Sequence, residues 1–550
     1  MQMTLNNHVV SFNPGENYLN ILKHHDPLCR ALGIRVGGNT LPLTALPVSG
    51  ENAAALTLAD LEGRMIYERS LRFIFLLAVH RLYPTRRVRI EHSLGNGVYC
   101  EVRGDKKALT STEVAAIKRE MRAIVSADLP FVCHTLSKRE AIAYFEKNGE
   151  MDKVELLKYR PYNTFTLYQL GEMMEYFYGV MAPSSGAIDV FDLSLYLPGL
   201  VLQLPDPAHP ETASPVRQLP KLTGVFAESA RWNSILGCSN AADLNALTQT
   251  GRLREFIRIN EALHEKSISR IADAFVESGA RVILIAGPSS SGKTTFANRL
   301  YIALRVLGLR PTAISLDDYY LDRDAIPVDE NGQRDFERLD TLDVPLFNDH
   351  LVRLLQGETV DAPLFDFPNG RRSNKTHAIH VDADQPIIIE GIHGLNDELT
   401  RDIARNLKFK IYISALTMLN LDDHNRIRTT EARLLRRMVR DYHFRGTPPE
   451  QTMEMWPSVR RGEEKYIFPY QEDADVMFNS SLVYEIAILK KYVYPMLVKL
   501  TPDSPHYTMA HRLLKFLNYF QPADVEDEIP LNSILREFIG GCCFYRDEEN

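Results

Sequence analysis

Five short runs of consecutive apolar residues mark the second half of the chain: "RVILIAG" (281–287), "TAISLD" (312–317), "QPIIIEG" (385–391), "FKIYIS" (409–414) and "ADVMFNS" (474–480). They are rich in β-branched residues, show little polar alternation and are separated by helical stretches. That grammar predicts strands buried on both faces, in a parallel sheet wrapped by helices. Upstream, residues 221–279 read as helical, with Phe256, Ile259, Leu263, Ile268, Ile271 and Phe275 keeping to one face. Before them, "LPDPAHPETASPVRQLP" carries prolines at 205, 207, 210, 215 and 220, a density that excludes regular helix or central strand. "YERSLRFIFLLAVHRLYP" predicts a helix leading into a mixed α/β region that ends near residue 204. Residues 1–65, with "HVVSF", "NPGEN" and "IRVGGNTL", predict a small β-rich module. "RLLKFLNYF" and "LNSILREFI" predict helices packed on the outside, followed by a solvated tail, "YRDEEN". The expected division is 1–65, 66–204, a Pro-rich linker and helical connector over 205–279, an α/β unit over 280–500, and 501–550.

A chain of 550 residues is too long for one hydrophobic core, which agrees with several domains. With 45% hydrophobic and 24% charged residues it reads as an ordinary globular protein, and a net charge of -8 argues against a surface coated for nucleic acid. "FIFLLAV" (73–79) is too short to span a bilayer, and "MQMTLNNHVV" lacks the basic start of a signal peptide. The six cysteines form no CxxC pair. Together these predict a cytoplasmic protein with reduced thiols.

Within "LIAGPSSSGKTTFANRL", Gly287, Gly292, Lys293 and Thr294 satisfy G-x-x-x-x-G-K-[ST], with a strand before and a helix after. Glycines let backbone N–H groups turn inward around phosphates, and the helix N-terminus adds partial positive charge. Gly287, Ser289, Ser290, Ser291, Gly292, Lys293, Thr294 and Thr295 are therefore the expected phosphate-binding residues, with Lys293 on the outer phosphates and Thr294 a ligand for Mg²⁺. The fold class that follows is a phosphate-loop NTPase-type α/β sheet.

A phosphate loop alone names no reaction, because ATPases, GTPases and small-molecule kinases share it. Asp317 and Asp318 follow the second apolar run and Glu390 the third, at the carboxyl edge where open α/β sheets bind ligands. A kinase needs one carboxylate to take a hydroxyl proton and others to hold Mg²⁺. "NRIRTTEARLLRRMVRDYHFRGTPPE" adds seven arginines, which predict either a solvated helix surface or a segment closing over a triphosphate, with Arg437 and Arg440 the favoured contacts.

These blocks, "GPSSSGKTT", "SLDDYY", "DFERLDTLD", "PLFDFPNGRR", "IIIEGIHGL" and "RRMVRDYHFRG", resemble those of the uridine kinase/phosphoribulokinase family, in the same order, over roughly residues 280–480. The resemblance implies an ATP-dependent phosphotransferase with an alcohol acceptor. Asp317 would be the base for a sugar 5′-hydroxyl. Thr294, Glu390 and Asp317 would stand around Mg²⁺, Lys293, Arg437 and Arg440 would serve catalysis, and Tyr320, Glu337, Phe365 and Arg372 would meet the acceptor. Four positions depart from the family pattern: Glu337 replaces an Asp, Phe365 a Tyr, Gly370 a His and Thr447 an Arg. The acceptor pocket is thus altered while the transfer machinery is kept.

The N-terminal half has a different resemblance. Residues 1–65 look like a TGS module. Residues 66–204 resemble the editing-type domain of threonyl-tRNA synthetase, through "RSLRFIFLLAVHRLYP", "GNGVYCEV", "MDKVELL" and "YFYGVMAPSSGAIDVF". Where that domain places two His, a Cys and a further His, this chain has Arg69, Phe73, Phe177 and Met181. None is a metal ligand, so no zinc and no hydrolytic editing are expected, and His80 reads as structural. The combined reading is a nucleoside kinase using ATP and Mg²⁺ on a uridine- or cytidine-like acceptor. Two alternatives stay open: a sugar-phosphate acceptor, suggested by Arg338, Arg371 and Arg372, and an ATP-switched regulator that touches RNA or tRNA; a homo-oligomer is compatible with each reading. No membrane partner is expected.

Overall fold

The computed structural model describes residues 1–104, 108–326, 335, 337–366 and 369–544. Tyr545–Asn550, expected as a solvated tail, lies outside the described residues, as do Phe336, Phe367 and Pro368 of the two acceptor-side blocks.

The chain begins with a five-stranded sheet, Gln2–Leu5, His8–Ser11, Gly33–Val36, Asn39–Leu41 and Asn52–Leu56, in the order second-first-fifth-third-fourth. The helix Tyr18–His25 closes one face, burying Tyr18, Ile21 and Leu22. Helix α1 (Leu61–Leu82) follows and is buried over most of its length, with Glu68, Arg69 and Arg72 enclosed among its apolar residues. A four-stranded and a three-stranded antiparallel sheet complete the N-terminal half. Residues 204–219 hold neither helix nor named strand, as the prolines dictate.

The helical stretch that follows is three helices, Pro220–Ile235, Ala241–Gln249 and α2 (Leu253–Ser278), broken where Gly237 and Gly251 adopt positive φ. On α2 the buried stripe includes Phe256, Ile268, Ile271 and Phe275 as expected, together with Asn260 and His264.

All five apolar runs become parallel strands: β1 (Val282–Ala286), β2 (Thr312–Ser315), β3 (Ile387–Glu390), β4 (Lys408–Ser414) and β5 (Val476–Asn479), in the order β2-β3-β1-β4-β5. Every residue of β1 is buried, which is why its sequence is continuously apolar. Helix α3 (Lys293–Val306) leaves the loop after β1. Helices α4 (Thr429–Arg445), α5 (Pro449–Tyr466) and α6 (Glu485–Leu497) share one apolar core with β1 and α3.

The C-terminal region departs from expectation. Tyr507–Leu517 is the expected helix, but "LNSILREFI" forms only the single turn Arg536–Ile539. Nor does it lie outside: Ile534, Leu535 and Phe538 are fully buried. They share one core with β1, α3 and α2, and also with Phe145, Leu157 and Tyr176 of the N-terminal half. The two halves therefore rest on continuous apolar packing.

Candidate phosphate-loop site

The site is built on three neighbouring strand ends. β1 lies between β3 and β4, and β2 lies beside β3, so the loop after β1, Glu390 at the end of β3 and Asp317 after β2 emerge side by side. The loop can be tight because of its glycines. A Cβ on Gly287 would lie 1.9 Å from the Ile413 carbonyl oxygen, and Gly292 caps α3 at φ +84°. Ser290, not a glycine, also holds a left-handed φ of 58°, strain of the kind that accumulates at ligand sites.

The loop's donors are arranged for an anion. Lys293 Nζ bends back to the carbonyls of Gly287 (3.1 Å) and Pro288 (3.4 Å). The buried hydroxyls of Ser290 and Ser291 have no hydrogen-bond partner among the described residues. Thr294 Oγ1 donates to Glu390 Oε1 at 3.2 Å. The Ser289 amide donates to Glu463 Oε1 (3.0 Å), and both the amide and hydroxyl of Thr295 donate to Glu537.

The carboxylates are held with raised proton affinity. Burial pushes Asp317 up, Lys293 opposes it, and Asp318 adds to the rise. Burial likewise pushes Glu390 to about 7 against Lys293, with Asp317 and Glu537 adding like-charge repulsion. Thr294, Glu390 and Asp317 thus form an oxygen-only donor set crowded with negative charge, which suits a hard divalent cation such as Mg²⁺.

Of the residues expected to meet the acceptor, Tyr320, Phe365 and Glu337 lie near one another. The rings of Tyr320 and Phe365 lie 5.8 Å apart, and the Phe365 amide donates to Asp318 at 3.2 Å. Glu337 is pushed to about 7 by burial and by Glu463, with Arg437 opposing. It is wedged against Gly462 of α5, where a Cβ would lie 2.5 Å from the glutamate's own Cβ. Gly370, in place of the family's His, packs on Arg323. Arg372 donates to the carbonyls of Tyr320 (3.1 Å) and Tyr319 (3.2 Å) and to Asp343 (3.1 Å). Through those carbonyls it ties down the end of the Leu316–Tyr319 turn.

Five of the segment's seven arginines lie on helix α4, and all of these but Arg445 are buried or half-buried. Arg433, Arg436, Arg437 and Arg440 stand at i, i+3, i+4 and i+7, one face of a helix. Arg433 and Arg436 are fully buried, paired with Glu463 and Glu485, and donate to the loop carbonyls of Ser289 (2.9 Å) and Ser290 (3.4 Å). Arg437 donates to Ser289 Oγ (2.8 Å) and to Asp441 (3.1 Å); Arg440 is held by Asp441 at 2.7 Å. The expectation singled out Arg437 and Arg440 and missed Arg433 and Arg436, although the spacing already put all four on one face. Glu463, Glu485 and Glu537 had no sequence signal, since each lies far from the loop in the chain.

The family model for the phosphoribulokinase/uridine kinase family matches residues 282–487. A uridine kinase of Bacillus pumilus is 30% identical over 208 residues, which are 38% of this chain and 90% of that protein. The chain belongs to the phosphoribulokinase/uridine kinase family. Residues outside that match add a second relationship: a threonine–tRNA ligase of Nitratidesulfovibrio vulgaris is 33% identical over 163 residues, 30% of this chain but only 25% of the ligase. That similarity lies in the N-terminal part. Among solved structures, a D-glycerate 3-kinase from Cryptococcus neoformans covers 51% of this chain and 89% of its own, with 17% identity and a TM-score of 0.21.

At the four synthetase-like positions of this family member, Arg69 donates to the Val180 carbonyl, the rings of Phe73 and Phe177 lie 5.5 Å apart, and Met181 is buried beside them. The metal-competent trio found among the described residues, Glu150, Glu175 and His424, closes around Lys153 Nζ, 2.6 Å from Glu150 and 3.3 Å from Glu175. An internal ammonium already supplies the cation there. No helix among the described residues is long and apolar enough to cross a membrane.

Proposed function

We propose that this protein transfers the γ-phosphate of ATP to the 5′-hydroxyl of a nucleoside of the uridine or cytidine kind. The observation that carries the reading is the convergence of Lys293, the Thr294–Glu390 pair and Asp317 on adjacent strand ends, with an aromatic pair and a second carboxylate beside them. The raised proton affinity of Asp317 fits a group that must accept a proton from an alcohol. Loop amides and Lys293 spread the charge of the transferred group, and Arg437 and Arg440 approach from α4. Thr294, Glu390 and Asp317 would hold Mg²⁺, which supplies charge neutralisation on the phosphates. Tyr320 and Phe365 offer a wall for the sugar or base, and Glu337 an acceptor for ribose hydroxyls.

The sugar-phosphate alternative needs spare cations, and two of its three are engaged: Arg338 with Asp340 (2.8 Å) and Arg372 with Asp343. For the N-terminal half we propose a TGS-like module over 1–65 and an editing-type domain over 66–204 that has lost its metal site. We divide the remainder into a connector (205–279), the kinase domain (280–500) and a C-terminal segment (501–550), and place the protein in the cytoplasm. A phosphoryl-transfer screen with Mg·ATP against nucleosides, pentoses and sugar phosphates tests the reading. Turnover of pyrimidine nucleosides to 5′-monophosphates is expected. Transfer only to sugar phosphates would replace it, and steeply salt-dependent tRNA binding without transfer would favour the regulator.

A further inference from the structure

The last described stretch of the chain reaches the phosphate loop from 242 residues away. Ile534 packs so closely on Gly292 that a Cβ there would lie 2.4 Å from Ile534 Cγ2. One turn on, Glu537 Oε2 accepts hydrogen bonds from the Thr295 hydroxyl (2.7 Å) and the Thr295 amide (3.2 Å). Thr295 is the third residue of α3, so its amide is one of the first-turn donors that have no partner within the helix. Such donors, at the positive end of the helix dipole and inside a G-x-x-x-x-G-K-[ST] loop, are the ones a nucleotide's phosphates use. The same stretch also touches the arginine helix: Phe538 lies beneath the Arg436 guanidinium at 5.0 Å, and Gly540 abuts Phe444. Arg436 in turn donates to the Ser290 carbonyl.

We infer that Glu537 is a specificity-determining residue of the donor site, a carboxylate that holds a phosphate's place on Thr295 and must yield it before a nucleoside triphosphate seats fully. A carboxylate and a phosphate carry the same sign and seek the same two donors, so they exclude each other. A nucleotide that presents a phosphate at Thr295 displaces Glu537. A ligand that engages only the outer end of the loop, such as pyrophosphate, leaves Glu537 in place and forgoes those donors. The turn Arg536–Ile539 bridges loop and α4, so its displacement is felt at the arginine face. The inference rests on the reading of the loop as a nucleotide site.

The test is calorimetric titration of the full chain with Mg²⁺ and a non-hydrolysable ATP analogue, and separately with Mg·pyrophosphate. Glu537→Gln keeps the shape but removes the competing charge. Its affinity for the ATP analogue should rise about tenfold while that for pyrophosphate moves less than about threefold. Hydrogen exchange of residues 534–541 in the unaltered protein should quicken when the ATP analogue is added, which decides the matter if the variant folds poorly. An unchanged or weaker affinity in the variant, or exchange that slows with the analogue, overturns the role of Glu537. Should that happen while phosphoryl transfer persists, the kinase reading stands without it; failure of either protein to bind the analogue removes both.

Discussion

Asp317 is where burial and charge do opposite work on one side chain. Removal from water raises its proton affinity, and Lys293 across the loop restrains that rise. A carboxylate so placed binds a proton more readily than one in water, which suits a group expected to accept one from an alcohol. Asp317→Asn keeps the size and the hydrogen-bonding edge but abolishes proton acceptance. With Mg·ATP and the best acceptor, kcat should fall about 10²- to 10⁴-fold while binding of ATP changes little. A kcat within twofold of the unaltered enzyme would remove Asp317 from that role.

At the scale of an element, α4 explains how a loop of small residues keeps its shape. Two of its arginines are wholly enclosed, each paired with a glutamate from a different helix and each reaching a loop carbonyl. Such pairs are costly to bury but costlier to break, because removal of one partner strands the other. Arg436→Met would leave Glu485 buried without its counter-ion. The expected loss is about 3–5 kcal/mol, read from the urea midpoint, with weaker nucleotide binding. Arg440→Met, on the half-buried end of the same face, should cost less than about 1 kcal/mol.

The whole molecule is joined through the segment just before α4. The Asp423 carbonyl accepts from the Ile90 amide (2.8 Å), Asn420 donates to the Ile90 carbonyl (2.8 Å), and the Asp423 amide donates to Asp152 (2.8 Å). At its centre Glu68 of α1 receives Arg426 (3.1 Å) and Arg428, two arginines of the segment that leads into α4. Burial alone would raise the proton affinity of Glu68. Arg428, Arg426 and Arg72 more than reverse this and hold it far below the usual carboxylate range. A group depressed on folding contributes stability that is complete above its unfolded pKa and is lost as pH falls below it. The seam should therefore weaken progressively as pH falls below about 5 and go on weakening below about pH 3. Glu68→Gln should be less stable at pH 7, by about 3–5 kcal/mol, and flatter across that window in pH-dependent urea unfolding. Equal pH slopes in the two proteins would show that Glu68 does not carry the effect.

Much of this was legible beforehand. The five strands could be read because a strand buried on both faces must be apolar throughout, and the loop because its glycine, lysine and threonine fall at a fixed spacing; both are local constraints. Asp317, Glu390 and the arginine stripe were visible through spacing and through resemblance to the uridine kinase/phosphoribulokinase family. The sequence could not reveal that Arg372 donates to two tyrosine carbonyls, that α4 is clamped by Glu463 and Glu485, or that "LNSILREFI" is a buried strap with Glu537 on Thr295. Each of those pairs residues tens to hundreds of positions apart. Periodicity and motif record what a residue asks of its neighbours in the chain, and only the folded packing decides which distant charge answers it.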